Sequence, residues 1–170
     1  MTQPPVRAQV RVLMVCLGNI CRSPTAEAVL RHKLRAAGLG DAVAVDSAGT
    51  HSWHGGEPPD PRSVRHAARR GYDLAHLRAR VVTGADFERF DLILAMDWGN
   101  LAELEGRCPP QHRPKLGRLT QHGVRFSSPV VPDPYQGGPD GFDHVLDLVE
   151  DACDGLVRHL ASLQPEQPSK

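Results

Sequence analysis

Val10-Arg11-Val12-Leu13-Met14-Val15 runs directly into Cys16-Leu17-Gly18-Asn19-Ile20-Cys21-Arg22-Ser23-Pro24. The first six residues read as a buried strand, apolar except at Arg11. A glycine-containing turn follows. Ser23 is expected to open a helix, with Pro24 at its first position and Glu27 in its first turn, and Gly38 to end it. A strand, a tight turn and a helix in fifteen residues is the opening unit of an α/β fold.

Outward from this unit the alternation continues. Val43–Ala48 is a second strand, followed by a loop with Gly49, Gly55 and Gly56. Asp60-Pro61 starts a helix closed by Gly71, and Thr83 caps a short one through Phe90. Leu92–Met96 is a third strand, with a helix to about Arg107, and Lys115–Leu119 is a weaker fourth strand. Phe142, Val145, Leu146, Val149, Ala152, Cys153, Leu156, Val157 and Leu160 recur at three- and four-residue steps, which predicts one amphipathic closing helix. Strands alternating with helices predict a parallel sheet covered on both faces, a three-layer α/β/α arrangement. Ligands in such folds bind beyond the carboxyl ends of the strands, where the turn after Val15 falls.

That turn has the chemistry of an anion cradle. Successive backbone N–H groups converge on a tetrahedral anion there, aided by the helix N-terminus. Gly18 and Asn19 accept the left-handed conformations that a tight loop requires. Arg22 offers a planar fork for two phosphate oxygens. The same field favours Cys16 as a thiolate, the nucleophilic form, and Ser23 is placed to donate a hydrogen bond to it. Attack of a cysteine thiolate on phosphorus needs a proton for the departing oxygen, so an acid must stand nearby. Asp133, in the proline-stiffened stretch Val131-Pro132-Asp133-Pro134-Tyr135, is the candidate.

Bulk properties bound the class. The chain has 170 residues, 40% hydrophobic and 24% charged, which suits one soluble domain, with a core over about 9–162 and frayed ends. The formal net charge is zero, so composition supplies neither a basic face for nucleic acid nor a polybasic membrane anchor. Val10–Cys16 is too short to span a bilayer, and four scattered cysteines form no disulfide framework; a cytoplasmic protein with reduced thiols is expected. Of these thiols Cys108 and Cys153 read as structural.

Together the cradle, Ser47-Ala48-Gly49-Thr50, Met96-Asp97 and Asp133-Pro134-Tyr135 resemble the low-molecular-weight protein tyrosine phosphatases, in order from about Val10 to Leu160. The resemblance implies a four-stranded parallel sheet, no metal or organic cofactor, Cys16 as nucleophile, Arg22 as phosphate ligand and Asp133 as acid and then base. It implies that Leu17, Gly18, Asn19, Ile20, Cys21 and Ser23 form the phosphate loop, supported by Ser47, His76 and Glu27. It further suggests that Cys21 protects Cys16 through a reversible disulfide.

A phosphotyrosine pocket needs apolar or aromatic walls, for which Leu17, Ile20, Trp53 and Tyr135 are candidates. Gln136 departs from the family, which commonly has a second aromatic there. Ile20 favours phosphotyrosine, since the related arginine phosphatases carry threonine at that position. The expected partners are phosphotyrosine proteins or peptides and oxyanion inhibitors, with the chain a monomer.

Other readings fit less well. Thioredoxin-coupled arsenate reductases need a further cysteine pair, which Gly71–Asp91 lacks, and have no Asp-Pro-Tyr loop. Classical and dual-specificity tyrosine phosphatases carry the acid before the cysteine. A non-catalytic phosphate-binding module predicts loss of the nucleophile or the acid, and both are intact. His51 and His54 suggest a metal site only in isolation; no Cys/His set has zinc spacing, and scattered exposed histidines are the expectation.

Overall fold

The computed structural model describes residues 9–134 and 138–164. Four parallel strands, β1 (Val10–Cys16), β2 (Val43–Gly49), β3 (Leu92–Ala95) and β4 (Leu116–Arg118), form one sheet in the order β2-β1-β3-β4. Helices α1 (Arg22–Ala36), α2 (Pro61–Arg69), α3 (Gly84–Arg89), α4 (Trp98–Arg107) and α5 (Pro139–Ser162) connect and cover it. The three-layer parallel fold expected from the sequence is the fold observed.

Burial along β1 explains the layering. Val12, Leu13, Met14 and Val15 are all fully inaccessible, because successive side chains point to opposite faces and both faces are covered. Val12 and Met14 pack with Leu30 and Leu34 of α1 and with Leu146, Val149 and Leu156 of α5. Leu13 and Val15 pack instead with Ile93, Phe87, Phe90 and Leu104, on the side of α3 and α4. The apolar stripe read on the closing helix is therefore its buried face. Each large aliphatic side chain in it contributes roughly 1.5–3 kcal/mol relative to exposure. Cys108 and Cys153 are both buried, Cys153 within the α1/α5 layer.

Local signals set most boundaries. Asp60 caps α2, its carboxylate accepting from Arg62 N at 2.8 Å, with Pro61 first in the helix. Asp86 reaches back to Thr83 N at 2.8 Å and closes the start of α3. The start of α1 differs from expectation. Its cap position is Cys21, without a side-chain hydrogen bond, and Arg22 is already helical. Ser23 does not cap the helix, because its hydroxyl is committed to Cys16 and Asn19.

Candidate active site

The β1–α1 turn lies at the carboxyl end of the sheet, stitched to its surroundings by backbone hydrogen bonds. Thr50 N donates to Cys16 O at 2.9 Å, His51 N to Leu17 O at 3.0 Å, and Asp60 N to Ile20 O at 2.8 Å. The single connection from β2 to α2 therefore holds three carbonyls of the cradle, two from its start and one from its end. Gly49 permits this closeness: a Cβ there would stand 2.7 Å from Leu17 O and 3.0 Å from Gly18 C. Gly18 serves a different purpose than expected. Among the described non-glycine residues only Asn19 has a positive φ, at 59°, and Gly18 is not among the left-handed glycines. A side chain at Gly18 would instead meet His54 Cδ2 at 2.9 Å.

A left-handed backbone at a non-glycine residue costs roughly 1–2 kcal/mol and persists only where contacts enforce it. Asn19 is enforced on both ends of its amide. Nδ2 donates to Ser23 Oγ at 2.8 Å and to Ser47 Oγ at 3.0 Å, and Oδ1 accepts from Arg80 N at 3.0 Å. Ser47 Oγ in turn donates to Glu27 Oε1 at 2.7 Å, and Arg31 pairs with Glu27 Oε2 at 2.7 Å. Burial pushes the Glu27 carboxyl up, against the lowering effects of Ser47 and Arg31. Arg80 is itself fixed by its guanidinium between Asp46 and Asp86. Strain at Asn19 turns its N–H toward Cys16 Sγ, at 3.3 Å.

Cys16 is buried at the end of β1, its Sγ 3.0 Å from Ser23 Oγ. Arg22 reaches the site from the first position of α1. Its Nη1 donates to Asp97 Oδ2 at 2.6 Å and to Val131 O at 3.1 Å, and its Nη2 lies 3.7 Å from Asp133 Oδ2. Burial alone would lower the Arg22 guanidinium, but the negative charge at Cys16, Asp97 and Asp133 outweighs it and raises the group above its ordinary value. It stays a cation. Asp97 serves twice, since its Oδ1 also caps α4 by accepting from Asn100 N at 2.7 Å.

A cavity of about 490 Å³ opens above the cradle, lined by Cys16, Leu17, Gly18, Ile20, Cys21, Arg22, Trp53, His54 and Asp133. The expected nucleophile, phosphate ligand and acid thus meet in one place, although they come from three segments. The Asp133 side chain is 45% exposed, reachable by a substrate while remaining beside Arg22. Tyr135 and Gln136, the other expected pocket residues, lie outside the described residues.

Two expectations need correction. His76 makes no hydrogen bond with the loop network and reaches Glu27 only electrostatically: its side chain is 60% exposed on the turn after α2, with Nδ1 3.6 Å from Asp73 Oδ2. Arg31 fills the place beside Glu27. His54 is not a scattered surface histidine, because it lines the cavity, its Nδ1 2.8 Å from Glu57 Oε2. Sequence reading also missed Arg80, whose contribution is a backbone N–H that no residue type announces. Asp97 carried a usable signal, an acid between the end of β3 and a helix.

Cys21 also lines the cavity, yet burial, the largest influence on it, pushes its thiol up to about 12. At neutral pH it is a thiol, and thiols are poor nucleophiles. Iodoacetamide at pH 7 is therefore expected to modify Cys16 and to spare Cys21, with phosphate protecting the modified site. Peptide mass mapping checks this, and equal labelling of both would contradict the assignment of Cys21 as un-ionised.

Comparison with known proteins shows the family. Residues 11–168 match the family model described as low molecular weight phosphotyrosine protein phosphatase. A Streptomyces coelicolor protein named low molecular weight protein-tyrosine-phosphatase is 46% identical over 150 residues, covering 86% of this chain and 91% of that one. The crystal structure of a protein tyrosine phosphatase from Entamoeba histolytica, with Hepes in its active site, has a TM-score of 0.89 at 42% identity, covering 91% of this chain and 98% of that one. Vibrio vulnificus Wzb in complex with benzylphosphonate has a TM-score of 0.77 at 29% identity, covering 89% and 99%. A chain matched over nearly its whole length by this family model, and carrying a buried cysteine in an arginine-closed cradle, belongs to the low molecular weight protein-tyrosine-phosphatase family.

Proposed function

We propose that this chain hydrolyses phosphotyrosine in proteins or peptides through a phosphocysteine intermediate formed on Cys16. The observation that carries this reading is the placement of Cys16 Sγ, 3.3 Å from Asn19 N and 3.0 Å from Ser23 Oγ, in a cavity that Arg22 and Asp133 also line.

In the first step the Cys16 thiolate attacks phosphorus, forming an S–P bond as the phosphorus–phenol oxygen bond breaks. The loop N–H groups and Arg22 hold the equatorial oxygens, where negative charge must be stabilised. Arg22 commits Nη1 to Asp97 and Val131, which leaves the remaining edge of its fork to face the phosphoryl group. The Asp133 carboxyl gives its proton to the departing phenolate. In the second step Asp133, now a carboxylate, takes a proton from water as that water attacks phosphorus. The S–P bond breaks, inorganic phosphate forms, and Ser23 Oγ donates to the returning thiolate. Every proton is accounted for by Asp133 and water.

Depth supports the choice of phosphotyrosine. Cys16 lies at the cavity floor, while Trp53 stands 71% exposed at its rim. A phenyl ring spans floor to rim more readily than the single methylene of phosphoserine. Ile20, nearly buried in the loop, presents an apolar side chain to that ring. Cys21 is read as the partner that traps oxidised Cys16. Peroxide converts the Cys16 thiolate to a sulfenic acid, and the Cys21 sulfur displaces water from it to form the disulfide. Loss of the Cys16 charge removes one of the influences that hold the Cys21 thiol up. The chain is read as a cytoplasmic monomer, and among the described residues no helix is long and apolar enough to cross a membrane.

The direct test is hydrolysis of matched phosphotyrosine and phosphoserine peptides in the presence of a chelator. Turnover of the phosphotyrosine peptide alone is expected. No turnover, despite tight phosphopeptide binding, would replace the enzyme by a phosphate-binding module.

A further inference from the structure

Trp53 is the most exposed part of the cavity wall, at 71%. An isolated exposed tryptophan samples several rotamers, and a wall that moves must be frozen when substrate arrives. Trp53 is not isolated. The imidazole of His51 lies flat against it, with ring centroids 4.5 Å apart and planes 6° from parallel. One face of the indole is therefore covered, and the opposite face and edges are left for whatever enters the cavity that Trp53 lines.

His51 is also tied to the cradle. Its N–H donates to Leu17 O at 3.0 Å, and the preceding Thr50 N–H donates to Cys16 O at 2.9 Å. The stack is thus referenced through one residue to the loop that would hold phosphorus. The far side of the Trp53 loop is pinned independently, by Gly56 N to Ala79 O at 2.8 Å and Ala79 N to Glu57 O at 2.9 Å. With both ends anchored, the height of the indole above Cys16 depends on side-chain orientation, and His51 restricts that orientation.

We propose that His51 is a positioning residue that confers preference for aryl over alkyl phosphate groups, by pre-setting Trp53 as the aromatic wall at a fixed height above the cradle. This rests on the phosphatase reading of the same site and assigns part of its substrate selection to a residue outside the catalytic machinery. An aromatic stack both offsets the entropy of ordering the indole and leaves its free face for the substrate ring.

The test uses two non-hydrolysable probes, phenylphosphonate and methylphosphonate, so that binding is read apart from turnover. It is done in a Trp98→Phe background, because Trp98 is the second of two tryptophans and stacks on Arg118 rather than lining the catalytic cavity. His51→Ala is expected to add a fast component to the time-resolved anisotropy of Trp53. The same variant should lower the ratio of phenylphosphonate to methylphosphonate affinity, measured by calorimetry, roughly three- to tenfold. His51→Phe, which keeps a flat ring, should restore both. An affinity ratio unchanged in His51→Ala would overturn the proposal, whatever the anisotropy does. A protein that binds both phosphonates yet turns over no phosphotyrosine peptide would overturn the phosphatase reading instead, with the effect of His51 on the ratio still measured.

Discussion

Replacing Cys16 by serine is expected to lower turnover of a phosphotyrosine peptide by roughly 10⁴-fold or more, while leaving oxyanion binding measurable. The two consequences have different physical origins. Turnover depends on a thiolate that attacks phosphorus and later leaves it, and a serine hydroxyl is a far weaker nucleophile, since Asp133 is protonated when the attack takes place. Binding depends on N–H groups held by Asn19 and its partners and on Arg22, none of which the substitution removes. The variant should therefore bind phosphate or vanadate by calorimetry with the wild-type fold retained by circular dichroism. Residual turnover within tenfold of wild type would remove Cys16 from the nucleophile role. Loss of both binding and turnover would show that the sulfur also holds the loop together, through Ser23 Oγ and Asn19 N.

Asp133→Asn is expected to separate substrates by their leaving groups. Tyrosine departs as a phenolate whose conjugate acid has a pKa near 10, so it needs a proton in the transition state, and general acid catalysis contributes roughly 10²–10⁴-fold. Nitrophenyl phosphate releases an anion that is stable at neutral pH and needs little help. The informative quantity is kcat/KM, which reports through formation of the phosphocysteine. In kcat the later hydrolysis step, where Asp133 serves as base, would slow both substrates alike. A loss of about 10²-fold or more in kcat/KM for the phosphotyrosine peptide is expected, with a loss below about tenfold for nitrophenyl phosphate. Equal losses for both would take the acid role away from Asp133. Its half-exposed carboxylate beside Arg22 would then serve the electrostatics of the cavity rather than proton transfer.

Much of the fold was legible because its signals are local. The unbroken apolar run of β1 indicates burial on two faces, and the three- and four-residue steps of α5 indicate one buried face; both readings agree with the packing. Asp60-Pro61 and Thr83 were readable as helix starts, since capping depends on residues two or three positions apart. The start of α1 was misplaced for an instructive reason. Serine before a helix is usually a cap, but the hydroxyl of Ser23 had a stronger demand on it from Cys16 and Asn19. A local propensity gave way to a tertiary network.

The sequence alone determined the layered parallel architecture, the strand–turn–helix that holds Cys16 and Arg22 within six positions of each other, and the chemistry those two side chains can perform. Only the tertiary structure decided how that loop is held open. Ser47 meets Asn19 across 28 positions, Arg80 N meets it across 61, and Asp97 meets Arg22 across 75. It also decided that His54 belongs to the cavity, that His76 makes no hydrogen bond with the loop network, and that His51 lies flat against Trp53. The physical reason is range. Periodicity, caps and turns act between residues a few bonds apart, whereas the strain at Asn19 is balanced by groups that become neighbours only after the sheet has formed.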